Sequence, residues 1–337
     1  MKAVLATAFG SAEVLQFCEV PTPELPSPHH VRVRLAAAGV NPVDTKVRAK
    51  PGYFPDGMPM ILGCDGAGLV ESIGAAVTRF KPGDEVYFCN GGLGDEPGCY
   101  AEFTTLHEDF CAAKPAGLTM AEAAALPLVF ITAWESLVER VALQAGQPVL
   151  IHAGAGGVGH VAVQLARHLG ARVAVTVSDE TKAALARELC AERVIFYREQ
   201  DFVAATLDWT SGRGADVVFD TVGGETWLKS LHAARIGGKV VSLLSTAMSA
   251  ADAQTARLRN LTLAYELMLT PQVLRQHGER VRQRRILEEA ARLVAAGRLK
   301  PVVGCTLPLA EAEKAHRLIE RGGMVGKLVL TAHSPSY

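Results

Sequence analysis

Hydrophobic and polar positions divide the chain into two textures. Over residues 1–115 the apolar positions come in short runs: Val14–Val20, Val31–Ala37, Leu69–Ile73, Glu85–Phe88 and Tyr100–Leu106. Turn signals such as Pro21-Thr-Pro23, Pro51-Gly52 and Lys81-Pro-Gly-Asp84 separate them, and together they predict a mostly β segment. From Thr119 the texture becomes alanine-rich helix, TMAEAAALPLVFITAWESLVERVAL, with Thr119 and Glu122 spaced as a capping box.

Further on, strand-type and helix-type patterns alternate. Strands are expected at Arg193–Tyr197, Ala215–Thr221, Lys239–Ser245 and Leu261–Leu267, and helices near Glu180–Cys190, Gln200–Leu207 and Glu225–Ala234. Alternation with short crossovers predicts a parallel, doubly wound sheet. A helix near Arg280–Ala296, an extended piece Pro301–Leu309, a helix Glu311–Glu320 and a strand Lys327–Leu330 follow. The expected organisation is α/β, with a mostly β domain of residues 1–122 and 270–337 around a Rossmann-type domain of residues 123–269. A cleft between two such domains is the usual place for a cofactor and substrate.

The sharpest local pattern is VLIHAGAGGVGHVAVQLARHLGARVAVTVS, residues 149–178. A β-prone run enters the glycines, and Val158, Val161, Ala162, Leu165 and Leu169 then recur at helical spacing. His160, Gln164, Arg167 and His168 fall on the other side. Gly170 stands as a C-cap before the strand-type run Arg172–Val177. Gly154-x-Gly156-x-x-Gly159 is the dinucleotide fingerprint inside this βαβ unit. Gly154 is expected in the tight turn, Gly156 at the pyrophosphate, and Gly159 where helix packs on strand. Gly157 and Val158 open the helix, whose unpaired N–H groups suit an anion.

Composition adds mainly exclusions. Net charge is −1, with 49% hydrophobic and 20% charged residues and no long block of one sign. Neither a nucleic-acid nor a membrane-surface partner is expected. The start MKAVLATAFGSAEVL reads as a first strand, not a signal peptide, and no apolar run has the length of a membrane span, so a cytoplasmic protein is expected. Seven cysteines, odd in number and without a C-x-x-C, predict reduced thiols.

These residues together resemble the medium-chain dehydrogenase/reductase superfamily, and within it the zinc-independent quinone oxidoreductase branch. The phrases that carry the likeness are GVNPVDTKVR, ILGCDGAGLVESIG, FKPGDEVY, LPLVFITAWESL, VLIHAGAGGVGHVAVQLAR, DVVFDTVGG, GGKVVSL and GKLVL. The resemblance implies a GroES-like domain, hydride transfer from a nicotinamide cofactor to a small-molecule quinone, enone or enal, and a homodimer. Leu261–Leu267 is the candidate self-pairing strand. Zinc-dependent relatives place a cysteine near Gly39-Val-Asn41 and a His-Glu pair after the glycine matching Gly63. Here Asn41, Cys64 and Asp65 stand instead, and no metal is expected.

For the cofactor, Ser178 and Lys182 at the end of the second strand, with Tyr197 ending the third, point to the 2′-phosphate of NADPH. Asp179, one residue away, keeps NADH open as the less favoured choice. Asn41, placed by the resemblance at the mouth of the nicotinamide pocket, is a candidate donor to the acceptor oxygen, or else a turn residue before Pro42. Thr132 is a second candidate, or else only bonds back in its helix. Tyr53 is a third, in a loop the pattern does not place. Leu243 and Ser245 are expected under the carboxamide, and Gly326 and Lys327 near the cofactor phosphates. A zinc-type alcohol dehydrogenase and a non-catalytic nucleotide-binding relative are the alternatives.

Overall fold

The computed structural model describes residues 1–332. Residues 333–337, grouped by sequence with the first domain, lie outside the described residues. The chain divides into two compact units, Met1–Leu128 with Leu269–Tyr337, and Val129–Met268.

The first unit is built on strands β1 (Lys2–Ala6), β2 (Leu15–Glu19), β3 (His30–Val40), β4 (Met60–Ile61), β5 (Asp65–Ile73), β6 (Glu85–Cys89), β7 (Phe103–His107) and β8 (Ala112–Ala113). Helices α1 (Pro42–Ala49) and α2 (Met120–Ala124) accompany them. Along β3, Val31, Val33 and Leu35 alternate inward with partly exposed neighbours, and then burial becomes continuous to Val40. The change comes where α2 covers the second face: a Cβ on Gly39 would lie 2.4 Å from the Ala124 carbonyl. The Thr119 capping box forms, Oγ1 accepting from Glu122 N and Glu122 Oε2 accepting from Thr119 N. The continuous helix expected after it does not. Pro127 lacks an N–H and disfavours helical backbone before it, so the segment breaks into α2 and α3 (Pro127–Trp134), followed by a wider helical turn over Glu135–Arg140.

The second unit holds one six-stranded sheet. Its strands are β9 (Pro148–Ile151), β10 (Arg172–Val177), β11 (Arg193–Phe196), β12 (Ala215–Asp220), β13 (Ala234–Ser242) and β14 (Thr262–Tyr265). The order is β11-β10-β9-β12-β13-β14, and every pairing is parallel. Numbered within the unit this is 3-2-1-4-5-6, the doubly wound Rossmann arrangement. The crossovers are α4 (Gly157–His168), α5 (Glu180–Glu188), α6 (Phe202–Trp209), α7 (Glu225–Ala233) and α8 (Ala250–Leu258). One core cluster joins Leu150, Ala174, Ile195 and Val218 of the strands to Trp227 of α7.

After Met268 come α9 (Thr270–Val273), α10 (His277–Ala295), β15 (Val303–Pro308), α11 (Ala312–Arg321) and β16 (Lys327–Thr331). β16 pairs antiparallel with β3, Leu328 opposite Val40, so the tail completes the first unit's seven-stranded sheet. Among the described residues no helix is long and apolar enough to cross a membrane.

Candidate nucleotide site and the polar centre of the first unit

In the second unit β9 delivers the chain into the glycine loop. Ala153 adopts φ +52°, a left-handed conformation uncommon outside glycine. The glycines differ in their reasons. Gly154 lies in the turn, and a Cβ there would sit 2.5 Å from Val175 Cβ, so it also allows close packing on β10. Gly159 lets α4 pack on the loop, since a Cβ there would fall 2.1 Å from the Ala153 carbonyl oxygen. Gly156 caps α4, and Gly157 and Val158 form its first turn, where helical N–H groups lack intrahelical partners. A tightly packed glycine loop that leads into a helix N-terminus fits a pyrophosphate.

Two buried residues brace the loops that follow β9 and β12. His152 is fully buried, with Nδ1 3.1 Å from Thr176 Oγ1 and Nε2 3.0 Å from Ser230 Oγ. Burial pulls its pKa down to about 4, which keeps the ring neutral. Asp220, at the end of β12, accepts from Val222 N, Gly223 N and Ser242 Oγ. His160, expected on the polar side of α4, is buried instead, its Nδ1 2.9 Å from the Gly156 carbonyl.

At the end of β10 three side chains meet. Lys182 Nζ donates to Ser178 Oγ at 2.6 Å, and Ser178 donates to Asp179 Oδ2 at 2.6 Å. Asp179 is the N-cap of α5, Oδ1 accepting from Lys182 N. The Ser178 hydroxyl, the Lys182 N–H and the ammonium together pull the Asp179 carboxyl down to about 2. Oδ1 is thus engaged in the cap, while Oδ2 meets Ser178 Oγ and, at 3.2 Å, Lys182 Nζ. Tyr197, half exposed just past β11, lines a cavity of about 550 Å³ with Ala153, Thr176, Arg198 and Val222. Arg198 lies 5.9 Å from the Tyr197 ring centre and adds a cation that the spacing did not single out. β13 ends at Ser242, so Leu243 and Ser245 lie in the loop beyond it and not in a strand.

The first unit holds a buried polar centre. Asn41 is the N-cap of α1, with Pro42 at N1, and its backbone N–H donates to Asp44 Oδ2 at 2.8 Å. Its amide is clamped from both ends. Nδ2 donates to Asp65 Oδ2 at 2.9 Å, and Oδ1 accepts from Lys327 Nζ. Lys327 also donates to the Val40 carbonyl at 3.1 Å and lies 3.4 Å from Asp65 Oδ2. With three donors directed at these acceptors and 3% exposure, it does not offer a free ammonium to a phosphate, contrary to expectation. Gly326 (φ +61°) serves the strand entry, since a Cβ would lie 2.3 Å from the Val302 carbonyl.

Asp65 Oδ1 accepts from Leu128 N, and burial raises its pKa against the pull of Lys327. Asp44 accepts from Tyr100 Oη at 2.9 Å, and burial pushes it up to about 7. Tyr100 in turn meets His316 Nε2 at 3.3 Å, and His316 meets Arg48, which pairs with Glu320. Of the other candidates, Thr132 lies buried in α3 in the second unit, and Tyr53 is partly exposed between α1 and β4.

The family described as "Alcohol dehydrogenase GroES-like domain" matches residues 27–116, and that described as "Zinc-binding dehydrogenase" matches residues 189–330. A quinone oxidoreductase of Pseudomonas aeruginosa is 34% identical over 98% of this chain and 99% of its own. The chain belongs to the medium-chain dehydrogenase/reductase superfamily, in its quinone oxidoreductase-like branch. A 2-haloacrylate reductase of a Burkholderia species is 35% identical, covering 90% of this chain and 91% of its own. The crystal structure of Escherichia coli quinone oxidoreductase complexed with NADPH superposes with a TM-score of 0.87 at 30% identity, over 98% of this chain and all of that one.

Within this superfamily the zinc named by one family description must be tested on the residues. A catalytic zinc takes about three Cys, His or carboxylate ligands. Around Asn41, a lysine ammonium already sits on the Asp65 carboxylate. Cys64 Sγ lies 3.9 Å from Asp44, its pKa raised well up by Cys89 and by burial, so a thiolate is disfavoured there. This donor set does not fit a metal.

Proposed function

We propose that this superfamily member is an NADPH-dependent reductase of quinones or α,β-unsaturated carbonyl compounds that works without catalytic zinc. The observation that carries the cofactor choice is the Lys182–Ser178 pair at the end of β10, with Asp179 turned into a helix cap. The relative solved with NADPH and the relatives named for quinone and haloacrylate reduction support the same reading.

Bound NADPH supplies a hydride, so one hydride and one proton convert acceptor to reduced product. The chain's share is to hold and orient. Gly156–Gly159 receive the pyrophosphate, and Ser178, Lys182 and Tyr197, joined by Arg198, receive the 2′-phosphate end. Leu243, Ser245 and Thr132 are assigned to the nicotinamide end. Asn41 keeps one amide hydrogen beyond its bond to Asp65, and that N–H is assigned to the acceptor oxygen, with Tyr53 on the substrate side. The Asp65–Lys327 clamp fixes which way the amide points.

The same proposal includes a cytoplasmic homodimer. β14 ends the six-stranded sheet, and Tyr265 on that strand is exposed, an edge suited to pairing with a second copy. Light scattering at micromolar concentration tests the dimer. The reaction is tested by following NADPH and NADH oxidation against quinones, enals and enones, with and without a chelator. Chelator-insensitive turnover that favours NADPH is expected. Turnover that disappears with a stoichiometric zinc would overturn the reading.

A further inference from the structure

Away from both sites, four of the chain's ten histidines crowd one spot on the first unit. His107 closes β7, His29 stacks on its ring at 5.6 Å, and His30 meets it edge-on at 5.5 Å. His277, the first residue of α10, stands perpendicular to it at 5.0 Å. Asp109 projects between the last pair, Oδ2 lying 3.0 Å from His277 Nε2 and 3.6 Å from His107 Nδ1. Among the described residues, this trio is the only group of three or more His, Cys, Asp or Glu whose ligand atoms all fall within 4.8 Å of one another.

We propose that His107, Asp109 and His277 form a surface site for a divalent transition metal of the Zn²⁺ or Ni²⁺ class, separate from the redox chemistry. The spacing is close to what a metal needs. Ligands about 2.1 Å from a tetrahedral ion lie about 3.4 Å apart, so small side-chain rotations bring all three into place. Two imidazoles and one carboxylate leave a fourth position to water.

Part of the preparation is built in. The Asp109 N–H donates to His107 Nδ1 at 3.2 Å, which selects the tautomer whose Nδ1 lone pair faces the cluster, and an arriving metal takes over that long bond. Arg280 stacks 3.8 Å over Phe110 and is paired to Glu96, which offsets its charge beside the cluster. Glu108, 3.7 Å from His29, adds further negative charge. A bound metal would tie the Glu108–Phe110 turn to the start of α10, segments 168 positions apart in the chain.

Such a cross-link should stabilise the unit much as a disulfide does. Tag-free protein, stripped with a chelator, is titrated with Ni²⁺ by calorimetry, and its Tm is read with and without the ion. One Ni²⁺ per chain at about micromolar Kd is expected, with a Tm rise of about 5 °C at a hundredfold excess. His277→Ala, at an exposed position, should lose at least about tenfold in affinity together with the Tm rise, since a ligand is removed. Asp109→Asn should weaken binding less. Equal Ni²⁺ binding by wild type and His277→Ala, or none below millimolar, would overturn the site. NADPH turnover, read alongside, should be the same in both proteins, so a failure of the redox reading leaves the titration interpretable.

Discussion

Two clusters in this molecule use the same three chemical parts. Asn41, Asp65 and Lys327 in the first unit, and Ser178, Asp179 and Lys182 in the second, each join a neutral polar group, a carboxylate and an ammonium. They differ in solvent. The first is sealed, with Lys327 3% and Asp65 0% exposed, while the Lys182 and Asp179 side chains are 16% and 46% exposed. A sealed ammonium cannot change partners, because freeing it would strand a buried charge. A partly exposed one exchanges carboxylate for an incoming anion at smaller cost. Lys327 and Asp65 are therefore suited to fixing the Asn41 amide, and the open trio to receiving a ligand.

Substitutions can break that contrast, beginning with the largest effect. Lys327→Met should destabilise the protein by about 3–5 kcal/mol in urea denaturation, because Asp65 and the Asn41 carbonyl are left buried without their donor. A loss below about 1 kcal/mol would mean the pair is not sealed. Gly159→Ala forces a Cβ to 2.1 Å from the Ala153 carbonyl. At a typical overpacking cost of about 1–3 kcal/mol, KM for the cofactor should rise about 10- to 100-fold. Lys182→Ala should raise KM for NADPH about tenfold or more while leaving that for NADH and the stability nearly unchanged. Equal effects on the two cofactors would remove the basis for the NADPH assignment.

The smallest effect sharpens the contrast through pH. Asp44, whose Oδ2 accepts the Asn41 N–H, has an ordinary value of 3.8 and is pushed to about 7 by burial. Between those values the folded chain holds a proton that the unfolded chain has lost, so this group makes stability fall as pH rises. Asp44→Asn should flatten the dependence in that window. Asp179 has the opposite sign. Drawn down to about 2, it adds stability above 3.8 that disappears as pH falls toward 2.

Local pattern revealed the strands of both units, since the runs expected over residues 1–115 overlap β2, β3, β5, β6 and β7. The Rossmann strands were legible because each apolar run is bounded by a glycine turn or a capped helix, and those signals sit within a few residues of one another. Errors arose where a tertiary neighbour decided the outcome. His160 looked polar by type, yet its ring satisfies itself on the Gly156 carbonyl and is buried. Lys327 and Asp65 are 262 positions apart, and His277 and Asp109 are 168 apart, so no spacing rule announces either pair. Asn41 was found by type and by family resemblance, but the partners that clamp its amide were not.

The pairing of β16 with β3 also orders events during synthesis. Residues 129–268 leave the ribosome complete and contain every strand of their own sheet. The earlier residues must wait, because β3 lacks an edge partner and Asp65 lacks its cation until Lys327 emerges. The middle of this protein should therefore fold before its beginning, reversing the usual N-terminal-first sequence. Nascent chains arrested near residue 320 should show a protease-resistant second unit beside a still cleavable first one.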